Sequence, residues 1–220
     1  MRPAILISTR QDGTMKGEDR VAVLHNRRQF LEMHGHNPSR STIVRLNYEG
    51  SDYCRYQLVE DAQHGDGVTH EMGAISDALL TNNPEVSLFL PLADCVGVVL
   101  YDEAGEWLMV SHLGRHNLEQ DGGRKSAEYF VSETGVPASR IKVYMTPAAG
   151  KINYPLFAFS NRSLHEVATE QLRAAGIERA HIEIDARDTT NDYSLYSHSE
   201  FLRGNRESDG RFMVVARLHP

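Results

Sequence analysis

Three observations predict an α/β (α+β) fold for this 220-residue chain. Eight short runs rich in apolar and β-branched residues, each bounded by turn residues, are typical of strands. Helical patterns fall between them, and strands interspersed with helices indicate this fold class. No repeat, low-complexity tract or Pro/Gly/Ser-rich linker divides the chain, so we expect residues 1–220 to form one domain.

The predicted strands are distributed along the whole chain. The fourth and fifth are separated by a short acidic turn that contains a glycine, which favours a hairpin. The eight predicted strands cover residues 4–9, 42–46, 86–93, 96–102, 107–113, 141–147, 181–186 and 211–218.

Helices are predicted over residues 26–35, 119–135 and 163–176. The last has the clearest signals, because Ser163 and Glu166 form a capping box and Gly176 supplies a stop. Its apolar residues recur on one face, as expected of a helix that packs on a sheet.

Composition limits the classes of function. A formal net charge of −7 argues against general affinity for nucleic acid or anionic membranes, both of which require a basic surface. No run approaches the length of a membrane span, and residues 1–13 become polar too soon for a signal peptide. With only Cys54 and Cys95 we expect free thiols in a cytoplasmic protein that acts on a small molecule. The sequence gives no indication of oligomeric state.

Cys95 and His112 occur at the ends of otherwise apolar strands. If residues 96–102 and 107–113 form a hairpin, the thiol and the imidazole can meet at one end of the sheet. Such a pair is half of a zinc site or a Cys–His nucleophilic pair. It can equally be a small buried thiol beside a hydrogen-bonded interior histidine.

Several blocks of sequence resemble the laccase-domain family. LPLADCVGVVLYD and VSHLGRHNL resemble its ADC and HAGWRG blocks, SDALLT resembles DALVT, and the C-terminal Tyr-rich and DGR segments also match in order. That family includes bacterial proteins named polyphenol oxidases, the peptidoglycan editing factor and purine nucleoside phosphorylase/adenosine deaminase enzymes. The resemblance implies a layered sandwich of mixed sheets flanked by helices, similar to that of the cytotoxic necrotizing factor type of deamidase toxin.

The resemblance also implies one metal ion, bound by His64, Cys95 and His112. His64 is taken from AQHGDGV, in which Gln63 directly precedes the histidine instead of standing two residues before it. His116 and His198 are alternative ligands. Zinc is expected before copper, because HGH at 34–36 is the only H-x-H pair and a multicopper centre needs several.

Other site residues follow from the same comparison. Asp94, Arg115 and His116 are the catalytic candidates, and Asp94 can orient a metal-bound histidine or accept a proton. The candidates for substrate binding are Lys151, Tyr196, His198 and Arg211. In this chain Arg115-His116 and Ser199-Glu200 replace the Trp-Arg and Arg-Arg of the family, which puts the usual anion contacts in doubt.

Three functions remain open at this stage. The first is a zinc-dependent enzyme acting on purine nucleosides, by phosphorolysis or deamination, or on a related nucleotide-linked substrate. The second is a metal-free hydrolase or deamidase with Cys95 as nucleophile and His112 as base. The third is a ligand-binding protein that has lost catalysis.

Overall fold

The computed structural model describes residues 1–70 and 74–219 of the chain. Within these ranges it has ten strands: β1 (Ala4–Ile7), β2 (Ser41–Ile43), β3 (Tyr56–Leu58), β4 (Ala78–Thr81), β5 (Ser87–Leu92), β6 (Val96–Asp102), β7 (Leu108–Leu113), β8 (Ile141–Met145), β9 (Ile182–Ile184) and β10 (Phe212–Arg217). The same ranges hold five α-helices: α1 (Arg20–Met33), α2 (Arg115–Glu119), α3 (Gly122–Thr134), α4 (Leu164–Ala174) and α5 (His198–Leu202).

The strands form two mixed sheets. The four-stranded sheet has the order β1-β10-β5-β2, with β2 parallel to β5 and the other pairs antiparallel. The six-stranded sheet has the order β3-β4-β7-β6-β8-β9, with parallel pairs at both edges and antiparallel pairs at the centre. Two mixed sheets with helices on their outer faces confirm the predicted fold class.

Alternating side chains of the central strands form the layers. In β6, Val99 and Tyr101 face the other sheet, whereas Val98 and Leu100 face the helices α3 and α4. The four-stranded sheet has the same division, because Val214 points between the sheets and Val215 packs beneath α1. Strands buried on both faces are therefore mostly apolar, which made the longer ones easy to predict.

The predicted elements differ from the observed ones mainly at their ends. Helix α1 begins at Arg20, six residues earlier than predicted, because the Asp19 side chain accepts a hydrogen bond from the Ala22 amide. The helix predicted over residues 119–135 corresponds to α3, which begins only at Gly122 because Asp121, with a φ of 64°, separates it from α2. Strands β3 and β4 and the five-residue helix α5 were not predicted as regular elements, since each is too short to establish a period.

No helix among the described residues is both long enough and apolar enough to cross a membrane.

Candidate active site

The hairpin of β6 and β7 brings Cys95 and His112 together. Its register pairs Val96 with Leu113 and Gly97 with His112, so Cys95 directly precedes the ladder on one strand and His112 lies near its end on the other. Residues at alternate positions share a face, and this face points between the two sheets. The thiol and the imidazole therefore lie at one end of the inter-sheet layer.

Gly114 provides the space in which the two groups meet. A Cβ atom at this position would lie 2.9 Å from Sγ of Cys95 and 2.9 Å from Cε1 of His112. The two side chains are thus no farther apart than twice that distance. Any residue other than glycine would separate them or be pushed against them.

A cavity of about 500 Å³ opens above this pair. Its wall combines aromatic faces, imidazoles and cations with the apolar end of β5, which is the usual make-up of a small-molecule site. The side chains that bear chemistry in the lining are Lys16, Tyr48, Asp94, Cys95, His112, Arg115, His116, Asn117, Tyr154, His198, Ser199 and Arg211.

Burial keeps both central groups neutral. Desolvation and then the charge of Asp94 raise the pKa of the Cys95 thiol to about 12. Desolvation and then the charge of Lys16 lower the pKa of His112 to about 3. Near pH 7 the pair is therefore a thiol and a neutral imidazole. A thiolate–imidazolium pair, which Cys–His nucleophilic catalysis uses, is disfavoured.

Asp94 is a structural anchor beneath Cys95. Its side chain is 3% exposed, and both oxygens are engaged: Oδ1 accepts from the Thr189 hydroxyl at 2.8 Å and Oδ2 from the Ser199 amide at 2.7 Å. Asp94 has a φ of 73°, a left-handed conformation that aspartate tolerates better than most residues. Through these contacts the Asp94 carboxylate positions the loops around the cavity.

Arg115 and His116 occupy one side of the cavity at the start of α2. The Arg115 guanidinium donates to the Tyr154 hydroxyl at 3.2 Å and lies 5.6 Å from the centre of that ring. The His116 ring stacks on Tyr53, with centroids 4.8 Å apart. An arginine held by an aromatic ring remains able to donate to a ligand.

Arg211 and His198 share a carboxylate on another side. Nη1 of Arg211 donates to Oδ1 of Asp209 at 2.8 Å, and Nδ1 of His198 lies 3.1 Å from the same oxygen. One carboxylate thus holds both side chains in place at this wall of the cavity.

A family model described as multi-copper polyphenol oxidoreductase laccase matches residues 8–161. This range contains Cys95, His112 and Gly114. The chain belongs to this laccase family.

A curated relative of this laccase-family chain is the purine nucleoside phosphorylase Cgl2154/cg2365 of Corynebacterium glutamicum. It is 29% identical over 142 residues, which cover 64% of this chain and 54% of the relative. The chain thus spans about half the length of the curated relative that it matches.

Solved structures share the fold of the laccase-family chain. YlmD from Geobacillus stearothermophilus superposes with a TM-score of 0.83 at 21% identity, over 99% of this chain and 92% of that one. The hypothetical protein YfiH of Bacillus licheniformis gives a TM-score of 0.79 at 21% identity, over 90% and 82%. The Neisseria meningitidis protein NMB0706 gives 0.75 at 18% identity, over 100% and 95%.

The structure does not bring His64 into the laccase-family site. Nδ1 of His64 accepts a hydrogen bond from Arg40 at 3.1 Å and lies 3.7 Å from Oδ1 of Asp61, and the ring does not line the cavity. His64 was predicted as a ligand because AQHGDGV resembles the Q-x-HG block of the family, with Val68 matching HG-x-x-V, but in the structure its ring contacts Arg40 and Asp61.

Tyr196 and Lys151 also lie outside the cavity lining. Tyr196 is buried in the inter-sheet core, with the Arg10 guanidinium 5.5 Å from its ring centre. The Lys151 amine pairs with Glu166 at 3.3 Å on the surface. Neither residue is positioned by this structure as the substrate contact that the sequence suggested.

Tyr48, Tyr154 and Lys16 line the cavity although sequence reasoning did not select them. The Tyr48 ring packs edge-on to His112, with centroids 6.4 Å apart. Tyr48 lies in a stretch of little periodicity, so only its three-dimensional neighbours indicate a role. Lys16 lies in the loop before α1, far from any motif.

The residues present fit the predicted metal ion only in part. Cys95 and His112 are the donor types that zinc binds, and Nδ1 of His112 is buried without a hydrogen-bond partner. Among residues 1–70 and 74–219, however, no group of three or more His, Cys, Asp or Glu side chains is arranged to hold a metal ion. The donor set is one ligand short of the minimum for a catalytic zinc, so no catalytic step is assigned to a metal.

Proposed function

We propose that this laccase-family protein acts on purine nucleosides by phosphorolysis. The observation that carries the proposal is a cavity that combines aromatic faces with several cations above the Cys95–His112 pair. The likeness to a protein named purine nucleoside phosphorylase supports the choice of substrate class.

The proposed reaction needs two contacts that the cavity lining can supply. A phosphate oxygen attacks C1′ of the ribose, the C1′–N9 bond breaks, and its electron pair passes to the purine, which takes up a proton. Cationic side chains hold the phosphate and offset its charge. The rings of Tyr48 and Tyr154 offer faces on which a purine can stack.

Neutral Cys95 and His112 have a defined part in this scheme. Because the pKa of the Cys95 thiol is raised and the pKa of the His112 imidazole is lowered, the thiol stays protonated near pH 7 and the imidazole is too weak a base to activate it. They act instead as hydrogen-bonding groups at the base of the cavity. This electrostatic state disfavours the alternative of a metal-free Cys–His hydrolase.

A nucleoside-binding protein without turnover is the second candidate. The observation that favours it is the incomplete donor set around Cys95 and His112. Both candidates require a purine nucleoside in the same cavity, and they differ only in product formation.

The test measures products and binding together. Inosine and adenosine are incubated with the full chain, with and without inorganic phosphate, and free base, ribose 1-phosphate and ammonia are quantified. We expect phosphate-dependent release of base and no ammonia. Saturable nucleoside binding without any product supports the second candidate, and the absence of both overturns the proposal.

Matched cysteine variants control the assay. Cys95→Ala removes the thiol and its hydrogen bonding from the cavity, whereas Cys54→Ala removes the other free thiol, which lies outside the lining. We expect turnover to fall at least about tenfold in Cys95→Ala, which corresponds to about 1.4 kcal/mol of transition-state stabilisation. Turnover is expected to be unchanged in Cys54→Ala.

A further inference from the structure

Lys16 and Arg211 reach the same cavity from opposite ends of the chain. Both side chains line it together with Cys95 and His112. The charge of Lys16 acts on His112, and the charge of Arg211 acts on both Cys95 and Lys16. Two cations thus point toward one region of the cavity.

The backbone clamps these two residues side by side. The Met15 amide donates to the Arg211 carbonyl at 2.8 Å, and the Arg211 amide donates to the Thr14 hydroxyl at 3.0 Å. The same hydroxyl donates to the Lys16 carbonyl at 2.7 Å. Met15 is fully buried between Thr14 and Lys16 and fixes the segment in the core. The pairing of the two cations is built into the fold.

The two cations differ in their carboxylate partners. Arg211 pairs with Asp209 at 2.8 Å, whereas Asp94, an acidic residue in the lining, accepts hydrogen bonds from Thr189 and Ser199. In the part of the chain that the structure describes, the Lys16 amine has no carboxylate within ion-pair distance. Desolvation, followed by the charges of Arg211 and Arg27, lowers the pKa of Lys16. The charge of Arg211 therefore disfavours the charged form of Lys16, and an anion bound between the two side chains would offset that repulsion.

We propose that Lys16 and Arg211 form an anion subsite for a phosphate group in this cavity. The inference rests on the proposed function in identifying that group as the inorganic phosphate of phosphorolysis. The same chemistry could bind the 5′-phosphate of a nucleotide, so the experiment has an arm for each source.

The first arm measures binding of inorganic phosphate to the full chain by calorimetry. Lys16→Ala is expected to weaken phosphate binding about tenfold or more, equivalent to 1.4 kcal/mol, while Lys16→Arg retains most of it. Lys125→Ala is the matched control, because Lys125 is an exposed lysine on α3 outside the cavity lining. Equal phosphate affinity in the native chain and in Lys16→Ala overturns the proposal.

The second arm compares inosine 5′-monophosphate with inosine. If the subsite binds a nucleotide's own phosphate, Lys16→Ala lowers the affinity for the monophosphate and leaves the affinity for inosine unchanged. If it binds free phosphate, Lys16→Ala weakens the binding of inorganic phosphate, leaves the affinities for inosine and for the monophosphate unchanged, and added phosphate still binds in the presence of inosine. Unchanged affinities of Lys16→Ala for inorganic phosphate, the monophosphate and inosine together contradict the subsite.

Failure of the subsite is distinguishable from failure of the proposed function. Phosphate binding that depends on Lys16, without cleavage of any nucleoside, upholds the subsite and rejects phosphorolysis. Phosphorolysis whose KM for phosphate is the same in Lys16→Ala upholds the reaction and rejects the subsite. A raised KM for phosphate with an unchanged KM for inosine supports both. Arg211→Lys, which keeps the backbone clamp and the charge, tests the second cation without loss of the fold.

Discussion

The carboxylate of Asp94 is bonded to the backbone amide of Ser199, at 2.7 Å and across 105 positions of sequence. Its other oxygen accepts from the Thr189 hydroxyl, so one side chain holds two points of the long segment between β9 and β10. That segment contains α5 and carries His198 into the cavity lining. Asp94 therefore helps to hold this segment in place at the wall of the cavity.

Asp94→Asn is expected to destabilise the fold by about 2 kcal/mol, because an amide NH₂ would face either the Ser199 amide or the Thr189 hydroxyl at a buried position. Thr189→Val, which removes only one of the two hydrogen bonds, is expected to cost about 1 kcal/mol. Urea denaturation measures both. Equal losses in the two variants would contradict the anchoring role.

The same substitution has a second, electrostatic consequence at Cys95. The Asp94 charge helps to raise the pKa of this thiol, so Asp94→Asn is expected to lower it. The rate of alkylation by iodoacetamide, followed against pH in a Cys54→Ser background, reports this pKa. If the pH profile of alkylation does not shift while the free energy of unfolding falls, Asp94 acts on the fold alone.

Gly114→Ala is expected to disrupt the Cys95–His112 pair. The added Cβ would lie 2.9 Å from atoms of both side chains, and displacing them costs about 1–3 kcal/mol of stability. Nucleoside affinity and the thermal midpoint are the measurements. Gly17→Ala is a control for stability, because its nearest neighbour would be at an ordinary 3.7 Å. Unchanged nucleoside affinity in Gly114→Ala would show that the Cys95–His112 pair does not contribute to binding.

Sequence reasoning located the sheets well because the buried strands are almost wholly apolar. It also placed Cys95 beside His112 correctly, since the hairpin register follows from the spacing of two long strands. It missed Tyr48 and Lys16 because both lie in segments without periodicity. Their places depend on long-range contacts, such as the one between Met15 and Arg211, that no local pattern encodes. His64 was predicted from the resemblance of AQHGDGV to a family block, and the structure places its Nδ1 against Arg40 instead.

Tyr48→His is expected to complete a zinc-binding set of donors at Cys95 and His112. The Tyr48 ring packs edge-on to His112, and both line the cavity with Cys95, so an imidazole there would give Cys95 and His112 a third donor. We expect about one zinc per chain in the variant and substoichiometric zinc in the native protein, by elemental analysis after dialysis against the metal.

Two further variants test the identity of the ligands in that site. Adding Cys95→Ser to Tyr48→His is expected to abolish the gained zinc, whereas adding His64→Ala is expected to leave it in place. Stoichiometric zinc in the native chain that is lost in His64→Ala would restore the metal site predicted from the sequence and refute the role given to Tyr48.

Acid is expected to unfold the protein in part through His36. This residue is 4% exposed, its Nδ1 lies 2.7 Å from the Ser87 hydroxyl, and burial, followed by the charges of Arg217 and His34, lowers its pKa to about 4. Between pH 6.5 and 4, His36 is protonated in the unfolded chain but stays neutral in the folded chain. The free energy of unfolding therefore falls as the pH falls. At 1.36 kcal/mol per pKa unit, the loss is on the order of 3 kcal/mol, and it is complete near pH 4.

The His36→Gln variant isolates this contribution. Glutamine keeps a polar contact to Ser87 without titrating, so the variant is expected to lose less stability than the native chain between pH 7 and pH 4. His25→Gln, on the exposed face of α1, is the matched control and should follow the native pH dependence. His112 is buried with a still lower pKa and continues to act in both variants, so a residual acid sensitivity is expected. Parallel pH curves for the native chain and His36→Gln would show that His36 is not the titrating group.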